Sequence, residues 1–319
     1  MRIVFAGTGE FAVPILKTIA SQTDWDIILI VSEPAKPAGR RQKLTDSAVA
    51  QAARELNLKT TTPAAIKDIK SDLAALNPDV MVVVAYSQIL PLEVINIPKF
   101  GTVNVHPSLL PKLRGPSPIQ ATLVQGLTET GVSLMVIDEK VDHGPVISQK
   151  AFLVGADETY LTLEPKLAAI GAEMIIHDLP EYVSGQIKPH EQNHTEATFT
   201  KLIKKENGRV DWQKMSAEEV YNLWRAYLKW PGVYTFFKNK SGASIRLKLI
   251  QIEKCGTSDV QHIRQKQPGE IFTDLSKNLL IACASGAVKI TKLQPEGSKI
   301  LTSAEFLNGY NCIVGQTLT

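Results

Sequence analysis

Cysteine is scarce in this sequence: only Cys255, Cys283 and Cys312 occur among 319 residues, widely spaced and without a C-x-x-C pair. A disulfide framework and a cysteine-based zinc site are therefore not expected, and the count suits a reducing compartment. No stretch approaches the roughly 18 consecutive apolar residues of a membrane span, so no membrane association is expected. The opening residues MRIVFAGTGEF lack the apolar run and cleavage site of a signal peptide and read as a strand of the mature fold. There is no Gly-x-Ser-x-Gly elbow, no P-loop, no internal repeat and no low-complexity tract. The six histidines are scattered. His190 and His194 have helical i, i+4 spacing but lie in a polar stretch and read as solvated, so no metal site is expected.

What is present is ordinary globular composition, 44% hydrophobic and 21% charged, which excludes whole-chain disorder and coiled coil. The length favours two domains, because single cores stop growing at about 250–300 residues. The small net charge of +3 hides an asymmetry: residues 201–319 carry 18 Lys and Arg against 10 Asp and Glu, a net +8, and the first 200 carry −5. A basic C-terminal part suits a polyanionic partner.

The first half alternates apolar runs with amphipathic stretches. Arg2–Ala6, Asp26–Val31, Asp79–Ala85, Gly101–Val105 and Val132–Ile137 read as strands. Phe11–Ala20 and Ser47–Leu56 read as helices between them. Continuous Val and Ile runs mark strands buried on both faces, so the pattern predicts a parallel α/β sheet with its ligand beyond the strands' carboxyl ends. Thr159–Ser184 has a helical pattern in which Pro165 and Pro180 predict a late start, a kink or an early end. The polar stretch that follows reads as a linker. Beyond a helix at Tyr221–Trp230, short alternating runs (VYTFF, SIRLKLIQI, GEIF, NLLIACA, AVKITKLQ) predict a small β-barrel.

Three segments carry candidate chemistry. Gly7-x-Gly9-x-x-Ala12 after the first strand, with Glu33 beyond, fits a loose dinucleotide fingerprint, but a plain strand-to-helix turn needs glycines as well. Lys36–Lys43 places four positive charges in an otherwise acidic half, at the ligand-binding edge, where they would attract phosphate. Asn104 and His106 stand two apart at a strand end, so alternation puts both side chains on one face. A fixed amide donor beside an imidazole can hold a developing oxyanion. Pro107 and Pro111 stiffen the turn that follows. Asp138 and Asp142 flank the next strand's end, where a carboxylate can face this pair or merely form a turn.

Asn104-Val-His106-Pro107-Ser108-Leu109-Leu110-Pro111, then Lys112-x-Arg114-Gly115 and Pro118-Ile119-Gln120, resembles the signature of enzymes that use 10-formyltetrahydrofolate as formyl donor. Asp142 stands in the matching D-x-G position. Phe5–Ala12, Pro37–Arg41 and Val82–Pro91 narrow the resemblance to the methionyl-tRNA formyltransferases, over nearly the whole chain. Pro107, and His143 after Asp142, depart from the usual motif without removing a chemical group.

The resemblance implies a Rossmann-like parallel-sheet N-terminal domain and a C-terminal OB-like β-barrel. It implies a catalytic domain at 1–189, a linker at 190–206 and a tRNA-binding domain at 207–319. The Gly7/Gly9 turn is then the family's first loop and binds no NAD. Asn104, His106 and Asp142 would be catalytic. Val84, Ala85, Tyr86, Ser87, Ile89, Leu90, Ser108, Leu109, Leu110 and Pro111 would bind the folate. Lys36, Arg40, Arg41 and Lys43 would bind tRNA. The implied reaction formylates methionyl initiator tRNA for translation initiation, in the cytoplasm, by a monomer that requires no metal. Formylation of an amino sugar or purine precursor, hydrolysis of the folate, and RNA binding without catalysis are the alternatives.

Overall fold

The computed structural model describes residues 1–38, 42–239, 241–255, 266–274, 276–310 and 313–319. Their contacts divide into two compact units: Met1–Pro118 with Thr128–Val154 and Thr162–Lys201, and Ile119–Leu127 with Gly155–Leu161 and Leu202–Thr319.

The first half of the chain runs β1 (Arg2–Gly7), α1 (Ala12–Ala20), β2 (Asp26–Val31), β3 (Lys36–Ala38), β4 (Lys43–Thr45), α2 (Ala48–Glu55), β5 (Thr60–Thr61), α3 (Lys70–Ala75) and β6 (Val80–Val84). It continues with α4 (Leu92–Ile95), β7 (Thr102–His106), α5 (Pro118–Val124), β8 (Glu129–Val136), β9 (Val146–Leu153) and α6 (Tyr160–Val183). The main sheet has the order β5-β2-β1-β6-β7-β8-β9. β5, β2, β1, β6 and β7 are parallel. β6, with the sequence VMVVV, is buried at every residue, as its continuous apolar run requires. Val4, Ala6, Leu29, Val31, Met81 and Val83 pack with Ile66, Leu73 and Val94 into one core cluster of this sheet.

Two expectations change here. β8 pairs antiparallel with β7, and β9 antiparallel with β8, so the sheet is mixed at one edge. A parallel return needs a crossover helix lying on the sheet. The connection between β7 and β8 offers only the short α5, and its residues from Ile119 to Leu127 group with the second unit. The second concerns α6, which runs from Tyr160 to Val183 with Pro165 and Pro180 inside it, so that neither a late start nor an early end occurs. Each proline removes one helical hydrogen bond. The buried stripe of Leu163, Leu167, Ala168, Ala172, Met174, Ile175 and Leu179 offsets that loss by apolar burial.

α6 also sets how closely the helix layer approaches β7. A Cβ built on Gly171 would lie 2.7 Å from Val105 Cγ1 and 3.2 Å from Ile15 Cδ1. Only glycine permits this approach to the strand that carries Asn104 and His106.

The second unit contains α7 (Ala217–Tyr227), β10 (Val233–Lys238), β11 (Ser244–Lys254), β12 (Ile271–Thr273), β13 (Leu279–Ala282), β14 (Ala287–Pro295), β15 (Leu301–Thr302) and α8 (Ser303–Gly309). Its antiparallel sheet has the order β10-β11-β14-β13-β12, with β15 on β14. The residues after α8 join the two edges. Gly315 N donates to Ile271 O at 2.7 Å, and Ile271 N to Gln316 O at 2.9 Å. Phe236 and Thr319 exchange backbone hydrogen bonds of 2.9 and 3.0 Å. Leu318 is buried beneath this seam. The chain thus closes its own sheet edges, which would otherwise present unpaired backbone groups.

Gly171→Val should lower stability by about 1–3 kcal/mol, the usual cost of overpacking. Urea unfolding of the variant, followed by circular dichroism, checks this; an unchanged midpoint would show that α6 does not press on β7 as described.

Candidate active site at the carboxyl end of β7

Asn104 and His106 project from β7, whose His106 register partner is Ser133 of β8. Asp142 lies in the turn between β8 and β9 and has a left-handed backbone, φ 49°. The structure brings these three side chains together. Asn104 Nδ2 donates to Asp142 Oδ1 at 3.4 Å. His106 Nδ1 stands 3.6 Å from Asp142 Oδ2, and the two side chains are only 5% and 14% exposed.

The tautomer of His106 follows from its other contact. Nε2 lies 3.0 Å from the carbonyl oxygen of Leu113. A carbonyl only accepts, so Nε2 carries a proton and donates it. Nδ1 is then left toward the Asp142 carboxylate. That contact is attractive only when a proton is shared between the two atoms, because otherwise two lone pairs oppose each other. The Asp142 carboxylate thus faces both the Asn104 amide and the His106 ring.

The turn after β7 fixes this geometry. Gly115 N donates to Asp142 Oδ2 at 2.6 Å. Leu113 N donates to Thr198 Oγ1 at 2.8 Å, and Thr200 N to Arg114 O at 2.7 Å. Gly115 has φ 107°, and a Cβ there would meet Thr200 O at 2.9 Å, so this turn position requires glycine. The polar stretch after α6 is therefore engaged with the first unit through residue 200. His190 exchanges backbone hydrogen bonds with Val146. His194 Nδ1 lies 2.9 Å from Arg114 Nη2 and accepts from it, because a guanidinium only donates. The His190 side chain is exposed, as expected of a solvated residue, whereas that of His194 is engaged.

His143 points away from the centre. Its Nδ1 is 2.6 Å from Asp138 Oδ2. Its ring stacks on His194 with centroids 4.0 Å apart and planes 9° apart. Withdrawal from water, then His143 and Arg114, hold the His194 imidazole below its ordinary pKa.

The residues expected around a folate lie on two loops. Val84 ends β6 and is buried; Ala85 has φ 45°, and Ser87 and Ile89 are exposed, Ile89 by 86%. Tyr86 and Leu90 are half-buried against the core cluster. Burial, then the charge of Glu33, pushes the Tyr86 phenol up to about 12. Its hydroxyl, like that of Thr8, is buried without a partner, as a polar group awaiting a ligand would be. Gln88 anchors the loop by accepting from Ile66 N at 2.8 Å. In the second loop Ser108 and Leu110 are buried while Leu109 and Pro111 are half-buried. Ser133 Oγ accepts from Leu110 N at 3.0 Å and donates to Ser108 O at 2.6 Å.

The basic segment has a two-stranded ribbon at its flanks, with Lys36 opposite Thr45 and Ala38 opposite Lys43. Lys36 and Lys43 are exposed, and Lys36 Nζ pairs with Glu33 at 2.7 Å. Arg40 and Arg41 lie outside the described residues. No helix among the described residues is long and apolar enough to cross a membrane, and they contain no group of three or more His, Cys, Asp or Glu arranged to hold a metal.

Sequence reasoning missed the groups that hold the three side chains. The Leu113 carbonyl and Gly115 amide are backbone groups and leave no residue-type signal. Gln192, whose amide bonds Arg114 and the Asp142 carbonyl, sits in a stretch that looks like any polar connector.

Known proteins share this arrangement of sequence and fold. A family model for formyl transferases matches residues 1–179, and one for the formyl transferase C-terminal domain matches residues 202–311. The chain is 36% identical over 322 residues to the methionyl-tRNA formyltransferase of Caldicellulosiruptor saccharolyticus, covering 100% of both. It is also 36% identical over 321 residues to that of Caldanaerobacter subterraneus subsp. tengcongensis, again covering 100% of both. Among solved structures, HypX from Aquifex aeolicus in complex with tetrahydrofolic acid superposes with a TM-score of 0.61 at 19% identity, over 98% of this chain and 48% of that one. The chain thus spans about half the length of HypX, and the likeness speaks for the fold. The chain belongs to the formyl transferase family, with methionyl-tRNA formyltransferases as its full-length relatives.

Proposed function

We propose that this chain transfers the formyl group of 10-formyltetrahydrofolate to the α-amino group of methionyl initiator tRNA, giving N-formylmethionyl-tRNA for translation initiation. The observation that carries this reading is the closed set of Asn104, His106 and Asp142 at the carboxyl end of β7, in a chain alignable end to end with enzymes named for this activity. Asn104 Nδ2 and a protonated His106 Nδ1 donate to the oxygen of the formyl group as the amine attacks its carbon. Asp142 supports the charge on His106, and its carboxylate receives the amine proton. As the oxyanion collapses the bond from the formyl carbon to N10 breaks, its electron pair stays on N10, and N10 takes up the proton held by Asp142 as tetrahydrofolate leaves. Preorganised donors do this without reorganisation at the moment of reaction. The loop of Val84, Ala85, Tyr86, Ser87, Ile89 and Leu90 holds the pterin, its apolar side chains offering a face for the ring and the Tyr86 hydroxyl a polar handle. Ser108, Leu109, Leu110 and Pro111 line the approach.

The charge division supports a polyanionic macromolecular substrate. The catalytic domain is taken as 1–189, joined through 190–206 to a tRNA-binding barrel at 207–319. Arg246 of β11 lies 3.8 Å above the ring centroid of Tyr234 on β10, and Arg209, before β10, lies 5.4 Å from that of Phe236. Such pairs keep guanidinium groups oriented for phosphate. Lys36, Arg40, Arg41 and Lys43 meet the acceptor end of the tRNA. The enzyme acts as a monomer in the cytoplasm.

The deciding experiment follows labelled formyl from 10-formyltetrahydrofolate to charged initiator tRNA, with free methionine and charged elongator tRNA as controls. Asn104→Ala and His106→Ala should each lower turnover about 10²–10³-fold, the typical cost of one oxyanion donor. The double variant should be only slightly worse than the worse single, because the groups act as a unit. A folded single variant with near wild-type turnover would exclude these roles.

Salt separates the two substrates. Phosphate contacts release counterions, so KM for the tRNA should rise steeply between 50 and 200 mM salt while KM for the folate changes little. Parallel steady-state titrations of both substrates test this; a flat response to tRNA would contradict backbone binding by the basic barrel.

A further inference from the structure

Gln192 is 6% exposed, in a stretch where every neighbouring residue from Glu191 to Glu196 is open to solvent. Its side-chain amide is fully engaged. Oε1 accepts from Arg114 Nε at 3.1 Å and from Arg114 Nη2 at 2.6 Å. Nε2 donates to the carbonyl oxygen of Asp142 at 3.0 Å and to that of Gly144 at 2.7 Å. The partners fix which end is which, because a guanidinium only donates and a backbone carbonyl only accepts.

These four bonds join two pieces of the site that are 28 residues apart in the chain. One is the turn carrying Asp142, whose left-handed backbone is unusual for a residue other than glycine. The other is Arg114, between the Leu113 carbonyl that holds His106 and the Gly115 amide that holds Asp142. Arg114 is 3% exposed; burial lowers its pKa, and the charges of Asp142 and Asp138 oppose that fall. Its backbone is held as well, its N–H donating to Thr198 O at 2.9 Å. A buried guanidinium needs acceptors, and Gln192 and His194 supply them.

We propose that Gln192 is a positioning residue of the formyl-transfer centre: one amide locks the Asp142 turn and the Arg114 turn together and so sets the separation of the Asp142 carboxylate from His106. The proposal rests on the function given above. Gln192 touches no substrate; it acts through Asp142 and the Leu113–Gly115 backbone.

Two substitutions separate its contacts. Gln192→Leu removes all four hydrogen bonds. Gln192→Glu keeps an acceptor for Arg114 but turns a carboxylate oxygen toward the two carbonyls and loses both donors. In both, kcat should fall about tenfold to a hundredfold, the scale of a misplacement near 1 Å, with KM for folate and tRNA within twofold. A role in folding alone would lower the active fraction of Gln192→Leu and spare a folded Gln192→Glu. The Gly115 amide proton gives a readout without turnover. Its 2.6 Å bond to a carboxylate places it far downfield in the wild-type NMR spectrum. It should move upfield and exchange faster in Gln192→Glu. Full activity of folded Gln192→Glu, or an unmoved Gly115 amide, overturns the proposal. If the wild-type protein itself transfers no formyl group, the functional reading fails, and the amide signal alone decides whether Gln192 positions Asp142.

Discussion

The site depends on one short turn. Leu113 and Gly115 give a carbonyl and an amide to two of the three central side chains. The carbonyl occupies the Nε2 proton of His106, which leaves Nδ1 as the face presented to Asp142. The amide holds one carboxylate oxygen of Asp142, which leaves the other to Asn104. Both are backbone groups, so the arrangement depends on the shape of the turn, which Gly115 fixes. Charge-assisted bonds of this kind are about twice as strong as neutral ones, and burial strengthens them further.

The rest of the first unit serves to hold that turn. The parallel core strands place β7 with its carboxyl end at the edge where doubly wound sheets collect ligands. The reversed strands β8 and β9 put the Asp142 turn beside that end, which a fully parallel continuation would not do. Residues 190–200 then lie against the turn, contributing Gln192, His194, Thr198 and Thr200. The second unit solves a separate problem, closing an antiparallel sheet with its own final residues.

Much of this was legible in the sequence. The apolar run at 80–84 marked β6, and the alternation of Asn104 and His106 marked the two side chains that the fold brings to Asp142. The Asp142 carboxylate was legible only as a candidate, because an aspartate before a turn glycine usually has a structural role. The direction of β8 was not legible, since the pattern of a buried strand is the same whichever way it runs. The continuity of α6 through two prolines was hidden because packing of its buried stripe outweighs two missing hydrogen bonds. The connector at 190–200 was opaque for a more general reason. Its contacts with the first unit come from backbone groups and from the polar side chains of Gln192, His194, Thr198 and Thr200, which in the sequence look like those of any solvated connector.

The central claim is that His106 commits its Nε2 proton to Leu113 and turns Nδ1 toward Asp142. ¹⁵N NMR of histidine-labelled protein reads this directly, through the shifts and couplings of the His106 ring nitrogens. Nε2 should show the signature of a protonated nitrogen in every form of the ring, with any second proton on Nδ1. A neutral ring with its only proton on Nδ1 would contradict the account, because the Leu113 carbonyl would then face a lone pair.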